Sequence, residues 1–135
     1  MLAGEAVIAI WNGIEPAARA EFHAWHNTEH MPERVGIGGF LRGRRYVAAD
    51  VATAPEFFTL YEVVGFPTIQ GQDYRDRLDN PTVWTRAVTA KFRDTSRALA
   101  RVAASYGPGI GGMLLTLGFA LDCSAIDPLR RMVQE

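Results

Sequence analysis

The chain has one cysteine, Cys123, among 135 residues. No disulfide can close within it, which excludes the small disulfide scaffolds and fits a reducing compartment. It also lacks an excess of either charge. The formal net charge is −1, which excludes a strongly basic nucleic-acid binder. Long hydrophobic runs are missing as well. The longest nearly apolar stretch, residues 109–121, has 13 residues interrupted by four glycines and Thr116, too short to span a bilayer. The opening MLAGEAVIAIW carries Glu5 and no basic leader, so it reads as a first strand rather than a signal peptide. No G-x-S-x-G or Walker pattern occurs. The glycine clusters at 36–39 and 107–112 lead into predicted strands, so they read as turns and not as phosphate cradles. The expectation is a cytoplasmic protein with no membrane or nucleic-acid partner.

What is present is ordinary for a globular protein: 48% hydrophobic and 21% charged residues. The length suits one domain over residues 1–135. Residues 5–11 are an apolar, β-rich run before Asn12-Gly13 and predict a strand. Pro16 sits well in the first turn of a helix that runs to His30, where Pro32 disfavours continuation. Ala18, Phe22 and Trp25 form its core-facing stripe. Residues 40–48 and 56–65 predict an antiparallel pair of strands. A short helix follows at 68–78. Asn80-Pro81 then opens a helix whose stripe is Trp84, Val88, Phe92, Thr95, Leu99 and Val102, ending at Tyr106-Gly107-Pro108-Gly109. Residues 112–121, GMLLTLGFAL, predict the fourth strand, and 127–135 a terminal helix.

The order is βαββαβ, a ferredoxin-like α+β arrangement with a four-stranded antiparallel sheet and helices on one face. Strands one, three and four are apolar on both faces, so the uncovered face needs a partner. A second copy packed sheet to sheet supplies it, which predicts a homodimer.

The three histidines, His23, His26 and His30, fall in one segment, EFHAWHNTEHMPER. A regular helix would set them within about 60° of one another. His26 to His30 also matches H-x-x-E-H, a zinc-hydrolase pattern, but no third ligand stands out, so no metal is expected. Residues 42–47, RGRRYV, partly match the RNP1 strand of RNA-binding modules. Arg44 and Ala49 stand where the stacking aromatics should be, and the pattern sits on the wrong strand. These arginines read instead as partners for Glu33, Glu56 or Glu62, or as residues at a strand edge.

Trp25-His26-Asn27-Thr28-Glu29-His30-Met31-Pro32, followed by Gly39-Phe40-Leu41-Arg42-Gly43-Arg44-Arg45-Tyr46, resembles the dimeric α/β-barrel superfamily. The EthD-like and stress-responsive α/β-barrel proteins are the suggested relatives. Here Trp25 and His30 are one residue further apart than W-x-x-x-H, and Gly38 stands where proline is common. The resemblance implies a homodimer whose sheets form a barrel, with a cleft between sheet and helices into which His30 points. The superfamily includes cofactor-independent monooxygenases, lactone isomerases and haem-degrading enzymes.

The resulting expectation is a small-molecule-binding barrel, read as a metal-free, cofactor-free enzyme acting on an apolar or aromatic metabolite. His30 or His26 serves as acid or base, with Tyr46 assisting. Trp25, Phe40, Arg45 and Tyr61 hold the ligand. The alternative is a non-catalytic ligand-binding or stress-response protein using the same pocket. The segment 122–135 has no assigned role.

Overall fold

The computed structural model describes residues 1–120 and 122–134. Four strands form one antiparallel sheet: β1 (Ala6–Ile14), β2 (Phe40–Val47), β3 (Phe57–Val63) and β4 (Phe92–Arg101), in the order β2-β3-β1-β4. The helices α1 (Arg19–Trp25), α2 (Met31–Val35), α3 (Phe66–Gln70), α4 (Gln72–Asp79) and α5 (Val83–Thr89) accompany it, and α6 (Ile126–Gln134) ends the chain. Strand alternation divides β3 cleanly. Phe57, Thr59, Tyr61 and Val63 face the helices, while Phe58, Leu60 and Glu62 face away.

The core lies between the sheet and the helices in two clusters. One gathers Ala6, Ile8, Ile37, Phe40, Tyr61, Val63, Ile69 and Tyr74. The other joins Ile14, Ala18, Phe22, Trp25, Phe57 and Val88. Among the described residues, no helix is long and apolar enough to cross a membrane.

The ferredoxin-like order holds, but the fourth strand is not where the sequence placed it. Residues 92–101, expected as helix, pair with β1 from Ile14↔Phe92 to Ala6↔Arg101. Their alanines and arginines favour helix locally, yet the free edge of β1 offers a row of backbone partners, and the ladder wins. A bulge between Trp11 and Gly13 lets β4 carry an extra residue, and Asp94 takes φ 49° there, a left-handed conformation that aspartate tolerates. The expected strand at 112–121 forms no ladder among its described residues; its last residue, Leu121, lies outside them.

Three local expectations also change. Asn12-Gly13 lies inside β1 at the bulge instead of forming a turn. The cap of α5 is Thr82, whose hydroxyl accepts from the Thr85 amide at 2.9 Å, not Asn80. The first helical segment does not stop before Pro32; it continues to Val35. The terminal helix expected at 127–135 is α6, and Glu135 lies outside the described residues.

Candidate active site

Between α1 and α2 the backbone widens into a π turn, His26–His30. The Met31 amide donates to the His26 carbonyl, five residues back. This turn explains why Pro32 is tolerated. Proline lacks the amide a helix interior requires and crowds the carbonyl four residues earlier. The wider turn lets α2 restart with Pro32 among its first residues. Single π turns inside helices occur often at functional sites, and this one contains two of the three histidines.

Side chains from α5 fix the outer side of the turn. Trp25 Nε1 donates to Thr85 Oγ1 at 3.1 Å. The Thr85 and Thr82 hydroxyls donate to Glu29 Oε1 at 3.1 and 2.6 Å. Glu29, the acid of the H-x-x-E-H pattern, is therefore engaged with α5. Among the described residues no group of three His, Cys, Asp or Glu side chains is placed to hold a metal.

The inner side of the turn meets the sheet. The His26 ring lies 5.4 Å from Phe22 and 5.4 Å from His30, with its Nε2 3.4 Å from the Tyr61 hydroxyl. His30 stacks on Trp25 with ring centroids 4.4 Å apart. Arg45 of β2 closes one end. It donates to Asn27 Oδ1 at 2.5 Å, lies 3.3 Å from His23 Nδ1, and sits over the Phe22 ring at 5.0 Å. Arg34 closes the other end, its guanidinium 5.7 Å over Tyr74. The Nδ1 atoms of His26 and His30 are both buried without a hydrogen-bond partner.

Electrostatics keeps both imidazoles neutral. Burial, with the cation of Arg45 and the neighbouring histidines, pushes His26 down to about 2. Burial, Arg34 and Arg45 push His30 down to about 3. Burial raises the Tyr61 phenol well above its ordinary value, partly opposed by Arg34. At neutral pH the cluster thus holds two uncharged imidazoles and an uncharged phenol between two guanidinium groups. It can accept, donate and relay protons.

The structure brings together His26, His30, Trp25, Tyr61 and Arg45. Phe40 stands one step back, packed on Tyr61 at 5.9 Å and Tyr74 at 5.5 Å. Tyr46 is separated from the histidines by the sheet. It pairs with Phe58 across from it in the β2–β3 ladder and lines a cavity of about 730 Å³ on the far face, with Trp11, Phe58, Met113 and Leu115. Sequence reading missed Arg34 and Asn27. Letting the helix run through Pro32 would have found Arg34, because His26, His30 and Arg34 follow i, i+4, i+8.

A four-stranded antiparallel sheet with this order, and helices on one face, is a ferredoxin-like fold. Solved structures of that fold align with the chain over most of their length. SnoaB, a cofactor-independent oxygenase from Streptomyces nogalater, matches with a TM-score of 0.55 at 14% identity, covering 76% of this chain and 97% of its own. HapK from Hahella chejuensis matches with a TM-score of 0.50 at 8% identity, covering 77% and 99%. At these identities the likeness is one of fold. No family model matches the chain, and no curated protein does.

Proposed function

We propose that the chain is a metal-free enzyme that moves a proton on an apolar or aromatic metabolite, with His30 as the acid–base group. The observation that carries this reading is the pair of neutral imidazoles held side by side in a π turn, each with a buried Nδ1 that has no hydrogen-bond partner. Of the two, His30 is the less enclosed, with 13% of its side chain exposed. The His30 imidazole takes a proton from an acidic O–H or C–H of the substrate and later returns it. The imidazolium formed is matched by the substrate anion beside it and by Glu33, whose carboxylate lies 3.9 Å from Nδ1. The substrate anion would raise the basicity of a group that burial, Arg34 and Arg45 together make weak. Tyr61 supports His26 from behind and Arg45 holds the edge of the site. The fold shared with a cofactor-independent oxygenase supports chemistry of this metal-free kind.

The test uses 2-tetralone, an aromatic ketone with acidic C–H bonds, in deuterated buffer. General acid–base groups contribute about 10²–10⁴-fold. The protein is expected to accelerate deuterium uptake well above buffer, and His30→Gln to lose that acceleration while keeping its circular dichroism. Uptake no faster than in buffer, or undiminished in His30→Gln, rules the reading out.

A second reading, a non-catalytic ligand-binding barrel, is favoured by the 730 Å³ cavity on the far face, which is lined mainly by aromatic and aliphatic side chains. Either reading goes with a homodimer formed through that face. The Trp11 and Phe58 rings meet there, tilted, at 4.9 Å beside Val7, Ala9 and Leu60.

A further inference from the structure

Arg34 is 6% exposed, and its Nη1 is buried with no hydrogen-bond partner. Among the described residues no carboxylate pairs with it. The adjacent acid, Glu33, is directed elsewhere, with one oxygen 3.9 Å from His30 Nδ1 and the other 3.9 Å from Arg77. A cation taken from water without a counter-charge is costly. Elsewhere the same chain avoids that cost. On the far face Arg42 and Arg44 share the carboxylate of Glu62 at 2.6 and 2.5 Å.

The surroundings of Arg34 are short of negative charge in the same way. Its field reaches His30 and Tyr61 and acts to lower the pKa of each. The other cation of the site, Arg45, is held by neutral partners, Asn27 and His23. Independently of Arg34, the Nδ1 atoms of His26 and His30 are also buried without a hydrogen-bond partner. Two guanidinium groups therefore flank two neutral imidazoles, and among the described residues Glu33 is the one carboxylate with an oxygen within 4 Å of a nitrogen of these four side chains.

We propose that Arg34 is the anion-binding residue of this site, and that the substrate is an apolar or aromatic body carrying an anionic oxygen, either a carboxylate or an ionised enol or phenol. The planar fork of a guanidinium suits such oxygens, which accept two parallel hydrogen bonds. The bound oxygen would supply the missing counter-charge and place the rest of the molecule against His30. This deepens the acid–base reading and rests on the same site.

Equilibrium binding with two matched probe pairs tests it: 2-naphthoate against 2-naphthamide, and 4-nitrophenolate against 4-nitroanisole. Hydrogen bonds to a charged group add enough that the anion of at least one pair should bind the wild type about tenfold more tightly than its neutral twin. Preference in the first pair marks a carboxylate substrate, and preference in the second an enolate or phenolate. Arg34→Met should abolish the preference, and Arg34→Lys, which keeps the charge without the fork, should keep part of it. Equal binding within both pairs, no saturable binding of any probe, or a preference that survives Arg34→Met overturns the inference. The wild-type comparison stands even if a variant fails to fold. Anion preference without deuterium uptake leaves this inference standing and removes the acid–base reading. Uptake without anion preference does the reverse.

Discussion

The carboxylate of Glu62 has no exposed surface, and its charge is kept by its neighbours. Burial alone would raise its pKa, yet Arg42, the Ala3 amide and Arg44 together hold it below the ordinary value. Removing one partner of a buried pair strands the others, so Glu62→Gln should cost about 3 kcal/mol in urea denaturation. His26 and His30 work in the opposite sense. Their folded-state pKa values, about 2 and about 3, lie below the ordinary 6.5. Above pH 6.5 neither state carries these protons, and stability is independent of them. As pH falls below 6.5 the unfolded chain binds protons that the folded chain refuses, and stability drops by up to about 1.4 kcal/mol per pH unit for each histidine. Carboxylates act in the same direction at lower pH, so the comparison must be with a variant. Denaturation at pH 7, 6 and 5 should show a steeper loss for the wild type than for a His26→Gln/His30→Gln double variant. Parallel curves would mean that these imidazoles are not held neutral by the fold.

Close approach of α2 to the sheet depends on one residue of β2. A Cβ built at Gly43 would meet Met31 Sδ at 2.2 Å and the side chains of Tyr61 and Val35 at 3.1 Å each. Met31 and Val35 belong to α2, and Tyr61 is the sheet residue that faces His26. Overpacking here should destabilise Gly43→Val by about 1–3 kcal/mol, and displacement of α2 should weaken any probe that binds through Arg34. A variant as stable as wild type would show that the helix can slide without cost. The same element shows what a sequence can and cannot carry. The stripe of Phe22 and Trp25 and the β-rich runs at 40–48 and 56–65 are local patterns, and they were legible. The fate of residues 92–101 was not, because alternation among alanines and arginines is weak and the competing ladder with β1 is non-local. Arg34 was hidden by a proline rule that a π turn relaxes. Tyr46 was grouped with the histidines because strand periodicity separates the two faces of β2 but does not say which one meets the helices.

The face of the sheet away from α1–α5 carries Trp11, Phe58, Tyr46, Val7 and Leu60. Part of the chain after β4 reaches this side, where Trp11 Nε1 donates to Thr116 Oγ1 at 3.4 Å. That segment is itself unsatisfied. Met113 is 85% exposed and Leu115 79%, with Leu117 and Phe119 well over half exposed. Apolar residues that looked like a fourth strand thus lie unpaired along an apolar sheet face. Exposed patches of this extent mark interaction surfaces, and a second copy offers a matching surface by symmetry. The expected outcome is that the protein sediments as a dimer at micromolar concentration. Trp11→Glu/Phe58→Glu, which places two charges at the centre of the face, should sediment as a folded monomer. The histidine cluster lies on the other side of the sheet, so this monomer should keep the anion preference assigned to Arg34. A wild-type monomer would sink the dimer and leave the apolar segment needing a different partner. A double variant that stays dimeric would place the interface elsewhere. Loss of anion preference on dissociation would show that the second copy supports the site across the sheet.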